Sequence, residues 1–314
     1  MNRFFYYVLA IPFSRLPMGV LYFFGSIFYF FLCNITPYRK KVIDANLKSS
    51  FPDKSDQEIK ALRKSFYRYF SNLFVESLKL LTIKEKNLLE RIKVNNPEVL
   101  EHLYQKNKGV VLISSHLNNW EYLILAQDLL FNYQAFGIGM PLTNKFWNQK
   151  LNERRERFGM IVTNAGNYKE KLAMNQRGPS ATLVLNDQSP GKEENCYWTN
   201  FLNQETAFFF GAEVMANQLD HAVVYAELER VKRGYYQLEL TVITDDPHKE
   251  EYGFITSKYV ELLEKGILKQ PEVWLWSHKR WKKTVPTNLD ALKENHKERF
   301  NKRFRAGSSL RETA

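Results

Sequence analysis

Apolar and polar positions along the chain change period several times, and each change marks an element. From Met18 to Ile35 the sequence MGVLYFFGSIFYFFLCNI carries no charge, and its eighteen residues sit at the lower limit for a helix that crosses a hydrocarbon core. The preceding FFYYVLAIPFSRLP is also apolar, but Pro12, Arg15 and Pro17 interrupt it, so it reads as an interfacial lead-in. Between Ser55 and Leu81, the residues Ile59, Leu62, Phe66, Phe70, Phe74 and Leu78 recur at intervals of three and four, the spacing of an amphipathic helix. Ser55, or Asp53 just before it, supplies the cap.

Gly109 to Ser115 is a short apolar run between KNKG and SHLNN, as expected of a parallel strand buried on both faces. WEYLILAQDLLF then returns to helical spacing. The same order recurs, with strand-like YQAFGIGM, GMIVTN, SATLVLND and HAVVYAEL separated by helix-like LTNKFWNQKLNERRERF, NYKEKLAMNQ and AEVMANQL. This alternation predicts an α/β fold built on a mixed, largely parallel central sheet flanked by helices. YYQLELTVIT, close behind HAVVYAEL, predicts the antiparallel partner. Pro247 to Lys269 reads as a late helix, and PEVWLWSHKRWKK closes the ordered part; beyond Asn288 the basic, polar chain is expected to fray. The expected organisation is a membrane anchor over 1–40, one α/β domain over 41–287 and a basic tail over 288–314.

Composition sharpens this picture. With 314 residues, 44% of them hydrophobic, the chain can fill a sizeable core, which excludes a disordered protein. Two cysteines, Cys33 and Cys196, are too few for a disulfide framework and point to a reducing compartment. Positive charge at YRKK, Tyr38 to Lys41, directly follows the apolar stretch and would hold the rest of the chain on the cytoplasmic side. A secretory signal is the competing reading, but no small-residue cleavage site follows the run; a buried hydrophobic hairpin is another. The net charge of +11 asks for an anionic partner such as nucleic acid, a membrane surface or an acidic carrier protein. No nucleic-acid-binding module is present to favour the first.

The candidate chemistry lies in GVVLISSHLNNWE, Gly109 to Glu121. Residues five apart on an ideal helix are separated by about 140°, so His116 and Glu121 meet only if His116 precedes the helix. Asn118 as N-cap with Glu121 at the third helical position, a variant of the capping box, gives that arrangement. It leaves His116 in the turn at the strand's C-terminal end, where parallel sheets bind ligands. An imidazole oriented by a carboxylate can take a proton from an attacking hydroxyl or amine. The blander reading, Glu121 as a cap and His116 as a polar loop residue, fits the spacing equally well. The remaining His are scattered, so a zinc site has no second ligand pair. G-x-S-x-G is absent, and G-x-G within GIGMPL is too little for a dinucleotide site.

HLNNWE resembles the H-x4-D/E signature of glycerolipid-type acyltransferases, and more closely the H-x-G-N-W-E form of the bacterial lipid A biosynthesis (lauroyl/myristoyl) acyltransferase family. Further pieces follow in that family's order: YRKKVIDANLKSSFPD after the apolar stretch, RERFG at Arg155 to Gly159, LVLNDQSPG at Leu183 to Gly191, FFFG at Phe208 to Gly211 and WLWSHKRWKK at Trp274 to Lys283. One position departs, with Asn118 where the family usually has Gly. The resemblance implies a glycerolipid acyltransferase-like fold, His116 as general base and Glu121 as its orienting partner. It places Arg155 near the acceptor or the phosphopantetheine phosphate, with Asp187 and Gln188 bordering the same cleft. The backbone at Asn119 is a candidate oxyanion donor. No cofactor is implied; the donor would be an acyl thioester of acyl carrier protein, less readily of coenzyme A, and the acceptor a lipid A precursor at the inner membrane. Another lipid acceptor, such as a lysophospholipid, aminolipid or pigment precursor, and an inert lipid-binding protein stay open as alternatives.

Overall fold

The computed structural model describes residues 2–191 and 196–305. At the N-terminus α1 (Asn2–Phe4), a π-helical stretch (Phe5–Ala10) and α2 (Ile11–Arg15) form one rod. Pro17 forces Leu16 into extended backbone (ψ 150°), because a residue before proline avoids the helical region. α3 (Met18–Asn34) therefore leaves at 119° to the rod. Among the described residues no single helix is long and apolar enough to cross a membrane; only the bent pair meets that test of length and composition jointly. Seventeen residues of α3 span about 26 Å, short of a core about 30 Å thick.

α4 (Lys40–Ser50) leads into α5 (Asp56–Lys79). Ser55 caps α5 as expected: its Oγ accepts from the Glu58 amide, and the Glu58 carboxylate accepts from the Ser55 amide at 2.8 Å. One face of α3 packs on α5, with Gly25 set against Val75 and the Ser71 carbonyl. The other faces of α3 keep Phe23, Phe30 and Phe31 exposed, and the rod exposes Phe4, Phe5 and Tyr7. The N-terminal stretch is thus docked on the domain on one side and apolar toward the outside on the other.

After α6 (Glu85–Leu89) the chain runs β1 (Ile92–Val94), α7 (Glu98–Gln105), β2 (Val110–Ser114), α8 (Trp120–Leu130), β3 (Gln134–Ile138), α9 (Lys145–Arg155), β4 (Ile161–Thr163), α10 (Tyr168–Ala173) and β5 (Ser180–Leu185). It continues as β6 (Cys196–Phe201), β7 (Gln204–Phe209), α11 (Gly211–Leu219), β8 (Ala222–Lys232), β9 (Tyr235–Thr244), α12 (Phe254–Lys269) and α13 (Leu289–Phe304). The main sheet has the order β1-β9-β8-β2-β5-β3-β4. Only β8 and β9 pair antiparallel; every other neighbour is parallel. The fold is mixed α/β.

β2 sits at the centre, and all five of its residues are buried. Val111 and Ile113 face α5, α11 and α12, while Val110 and Leu112 face α7 and α8. Two cores therefore sandwich the sheet, and each large apolar side chain fully buried there contributes about 1.5–3 kcal/mol. This explains a strand sequence without alternation.

Two expectations need correction, and one element was not anticipated. The late helix starts at Phe254, not Pro247, with Gly253 at φ +84° before it. The stretch beyond Asn288 does not fray within the described residues but forms α13, whose Phe300 is buried against Phe210 and Tyr252; 306–314 lie outside the described residues. The hairpin of β6 and β7 was not foreseen.

Candidate active site

β2 and β5 are direct neighbours with Ser114 opposite Leu185. The Asn186 amide donates to the Ser114 carbonyl at 3.1 Å, so the ladder continues one step beyond the strands. Two residues past the strand ends on each side stand His116 and Asp187. Parallel register thus brings together side chains 71 positions apart.

The contact is double. The His116 amide donates to Asp187 Oδ2 at 3.0 Å, and His116 Nδ1 lies 2.7 Å from Asp187 Oδ1. Trp274 Nε1 donates to Oδ2 at 2.8 Å, so Asp187, 2% exposed, accepts three hydrogen bonds. Burial works to raise its pKa, but the charge of His116 and the hydrogen bonds from His116 and Trp274 overcome it and hold the carboxyl below the ordinary value. An ionised carboxylate only accepts, so Nδ1 carries the proton. In the neutral ring Nε2 is then the acceptor, and the Gln188 amide donates to it at 3.1 Å. The Trp120 ring packs edge-on against the imidazole, centroids 4.6 Å apart.

The turn itself is pinned. Leu117 bridges Trp274, the Asn118 amide donates to the Val273 carbonyl, and Asn118 Nδ2 donates to the Leu228 carbonyl at 2.7 Å. Asn118 has φ +57°, a left-handed conformation that Asn tolerates better than most residues. This corrects the expected cap, since Asn119 occupies that position and α8 begins at Trp120. The side chain of Asn119 turns away from His116. Fully buried, it donates to Glu76 Oε2 at 2.9 Å, inside the protein.

Glu121 is not hydrogen-bonded to His116, the partnership expected of it. It faces α9, where Arg154 and Arg155 both grip its carboxylate; Arg155 Nη2 reaches Oε1 at 2.5 Å. Burial would raise its pKa, but the charges of Arg154 and Arg155, with a smaller contribution from His116, push it down to about 2. Arg155, expected to border the substrate, pairs its guanidinium with Glu121. Arg154 is a second arginine that the sequence reading did not single out.

Other participants were also missed. The Ser189 amide donates to His278 Nε2 at 3.2 Å, and burial, helped by the charges of His116, Arg280 and Lys282, outweighs Asp187 and lowers the His278 pKa to about 4. Trp274 and His278 belong to the WLWSHKRW segment, so the signal was in the sequence although its target was not. Glu76 is buried between Tyr22, Asn119 and Tyr236, all three donating to its carboxylate. Among the described residues no three His, Cys, Asp or Glu side chains converge as a metal site.

The site offers a tautomer-fixed imidazole with an accepting Nε2, and Glu121, five residues further on, holds a pair of arginines. Such a group removes a proton from an incoming nucleophile. The chain as a whole has matching relatives. Over 290 residues it is 23% identical to a lipid A biosynthesis palmitoleoyltransferase of Escherichia coli (strain K12), covering 88% of this chain and 90% of that protein. The same identity and coverage hold for a lipid A biosynthesis acyltransferase of Shigella flexneri. The model of the family described as bacterial lipid A biosynthesis acyltransferase matches residues 2–283. The chain belongs to that family and is an acyltransferase of the lipid A biosynthesis type.

Proposed function

We propose that this enzyme moves a fatty acyl chain from the thioester of acyl carrier protein, with coenzyme A as the lesser donor, to a hydroxyl of a lipid A precursor. The reaction runs at the cytoplasmic face of the inner membrane. The observation that carries the chemistry is the 2.7 Å contact between His116 Nδ1 and Asp187, which leaves Nε2 to act as base. The acceptor hydroxyl takes the place of the Gln188 amide at Nε2. Its oxygen attacks the thioester carbonyl while His116 takes the proton, and the tetrahedral intermediate then expels the thiolate. The imidazolium returns the proton to that sulfur, so the thiol leaves and the ring is neutral again. Asp187 keeps the tautomer and stabilises the imidazolium. Glu121 holds Arg154 and Arg155 at the cleft, where guanidinium groups suit phosphate oxygens of either substrate.

The test is transfer by detergent-solubilised protein from labelled acyl carrier protein to a bacterial lipid extract, with products read by mass spectrometry. His116→Ala and Asp187→Asn should each lower kcat by about 10²–10⁴ with folding intact. Equal product from wild type and His116→Ala would remove His116 from the chemistry. The mass of the product decides between a lipid A precursor and another lipid acceptor.

A further inference from the structure

Between β3 and α9 the chain forms the loop Gly139–Asn144, which places large apolar side chains in the open. Met140 is 86% exposed and Leu142 46%. The loop is built to do so. Gly139 is held by the Thr163 carbonyl, the Leu142 amide donates to Asn148 Oδ1 at 2.8 Å, and Asn144 caps α9 through the Trp147 amide. A hydrophobic side chain held out by a hydrogen-bonded frame is not a chance fluctuation of a slack loop.

The neighbours on both sides say what the loop faces. On one side Phe146 and Trp147, the residues just beyond it on α9, pack edge-on against Tyr6 of the N-terminal rod, with centroids 5.9 and 6.0 Å away. That rod exposes Phe4, Phe5, Tyr7, Val8 and Leu9, so the apolar loop is continuous with the apolar rod. Exposed Arg3, Arg15 and Lys145 lie on the same elements, a charge that matches anionic headgroups. On the other side, the position of a Gly139 Cβ would be 3.7 Å from Arg155 Nη1, and Arg155 grips Glu121 in the cleft. The loop is the threshold between the rod and the site.

We propose that Gly139–Asn144 is a second membrane-insertion element, which seats Met140 and Leu142 among the acyl chains of an anionic bilayer and opens the cleft directly onto the membrane surface. The rod and α3 fix the protein to the bilayer; the loop fixes the orientation. An acceptor lipid then moves laterally from the bilayer to His116 without its acyl chains crossing water. This last step rests on the acyl-transfer reading, whereas the insertion does not.

The first experiment places an environment-sensitive fluorophore on Met140→Cys in a Cys33→Ser background, with Cys196 buried. A control label goes on Asn132→Cys, exposed at the opposite end of β3. On vesicles of phosphatidylethanolamine and phosphatidylglycerol carrying brominated acyl chains, the label at 140 should shift to the blue and be quenched, and the label at 132 should not. Equal emission at both positions overturns the proposal. As a second readout, Met140→Asp/Leu142→Asp should weaken vesicle binding about tenfold and raise KM for vesicle-borne acceptor, leaving kcat on detergent-dispersed acceptor unchanged. Unaltered binding and KM would also overturn it. Quenching at 140 in a protein that transfers no acyl chain would uphold the insertion and sink the acyl-transfer reading alone.

Discussion

Asp187 and Glu121 are both buried carboxylates, and their partners give them different tasks. Asp187 meets the imidazole and an indole N–H, so removing its charge changes the tautomer of His116 more than it changes the fold. Glu121 meets two guanidinium groups, so removing its charge leaves two partly buried cations unpaired. Glu121→Gln should therefore cost about 3 kcal/mol of stability at neutral pH. The sign with pH follows from its folded pKa of about 2, below the ordinary 4.5 of a glutamate. The stabilisation is complete above about pH 4.5 and is lost as pH falls toward 2. Denaturant midpoints between pH 3 and 7 should show an acid-side loss in wild type that is shallower in Glu121→Gln. Parallel curves for the two proteins would mean that the arginine pair does not set Glu121's titration.

At the scale of elements, Glu76 joins three of them. It lies on α5 and accepts from Tyr22 of α3, Asn119 at the start of α8 and Tyr236 of β9. Glu76→Ala strands those three donors in the interior, and each stranded group costs about 1 kcal/mol or more. A loss of about 3 kcal/mol is expected, against about 1 for Tyr22→Phe, as read by denaturant midpoints in detergent. A Glu76→Ala loss no larger than that of Tyr22→Phe would show that the junction is not shared.

The same scale explains what was legible in the sequence. β2 and the first half of β8, Ala222 to Ala226, showed as apolar runs because both faces are buried. β1 has three residues, too few to set a period. The β6–β7 hairpin turns through Leu202 and Asn203, at φ +49° and +64°; two left-handed residues are normally announced by Asn-Gly or Asp-Gly, and Leu gives no such signal. α13 hides its contact in Leu289, Leu292, His296, Phe300 and Phe304, a helical spacing diluted by Lys and Arg. The site divides similarly. The strand-end turn and its His116 were visible from local pattern, whereas the choice of Asp187 over Glu121 as the Nδ1 partner depends on β5 lying beside β2, which spacing along the chain does not encode.

For the whole molecule the governing quantity is the net charge of +11. Lys145, Arg154 and Arg155 lie on α9, so in the proposed reaction an acidic carrier would meet a favourable field before it makes contact. Steering of that kind acts on association and is screened beyond a Debye length of about 10 Å at 0.1 M salt. Raising salt from about 0.05 to 0.5 M should therefore lower kcat/KM for the carrier-bound donor by about tenfold through KM, with kcat nearly constant. The control is the same acyl chain on a small neutral thiol, which has no charge to steer and should lose little. If both donors respond to salt alike, the ions act on the protein or its lipid surface, and the basic face has to be assigned to the membrane and not to the carrier. A response confined to the carrier would show that the charge also serves the donor.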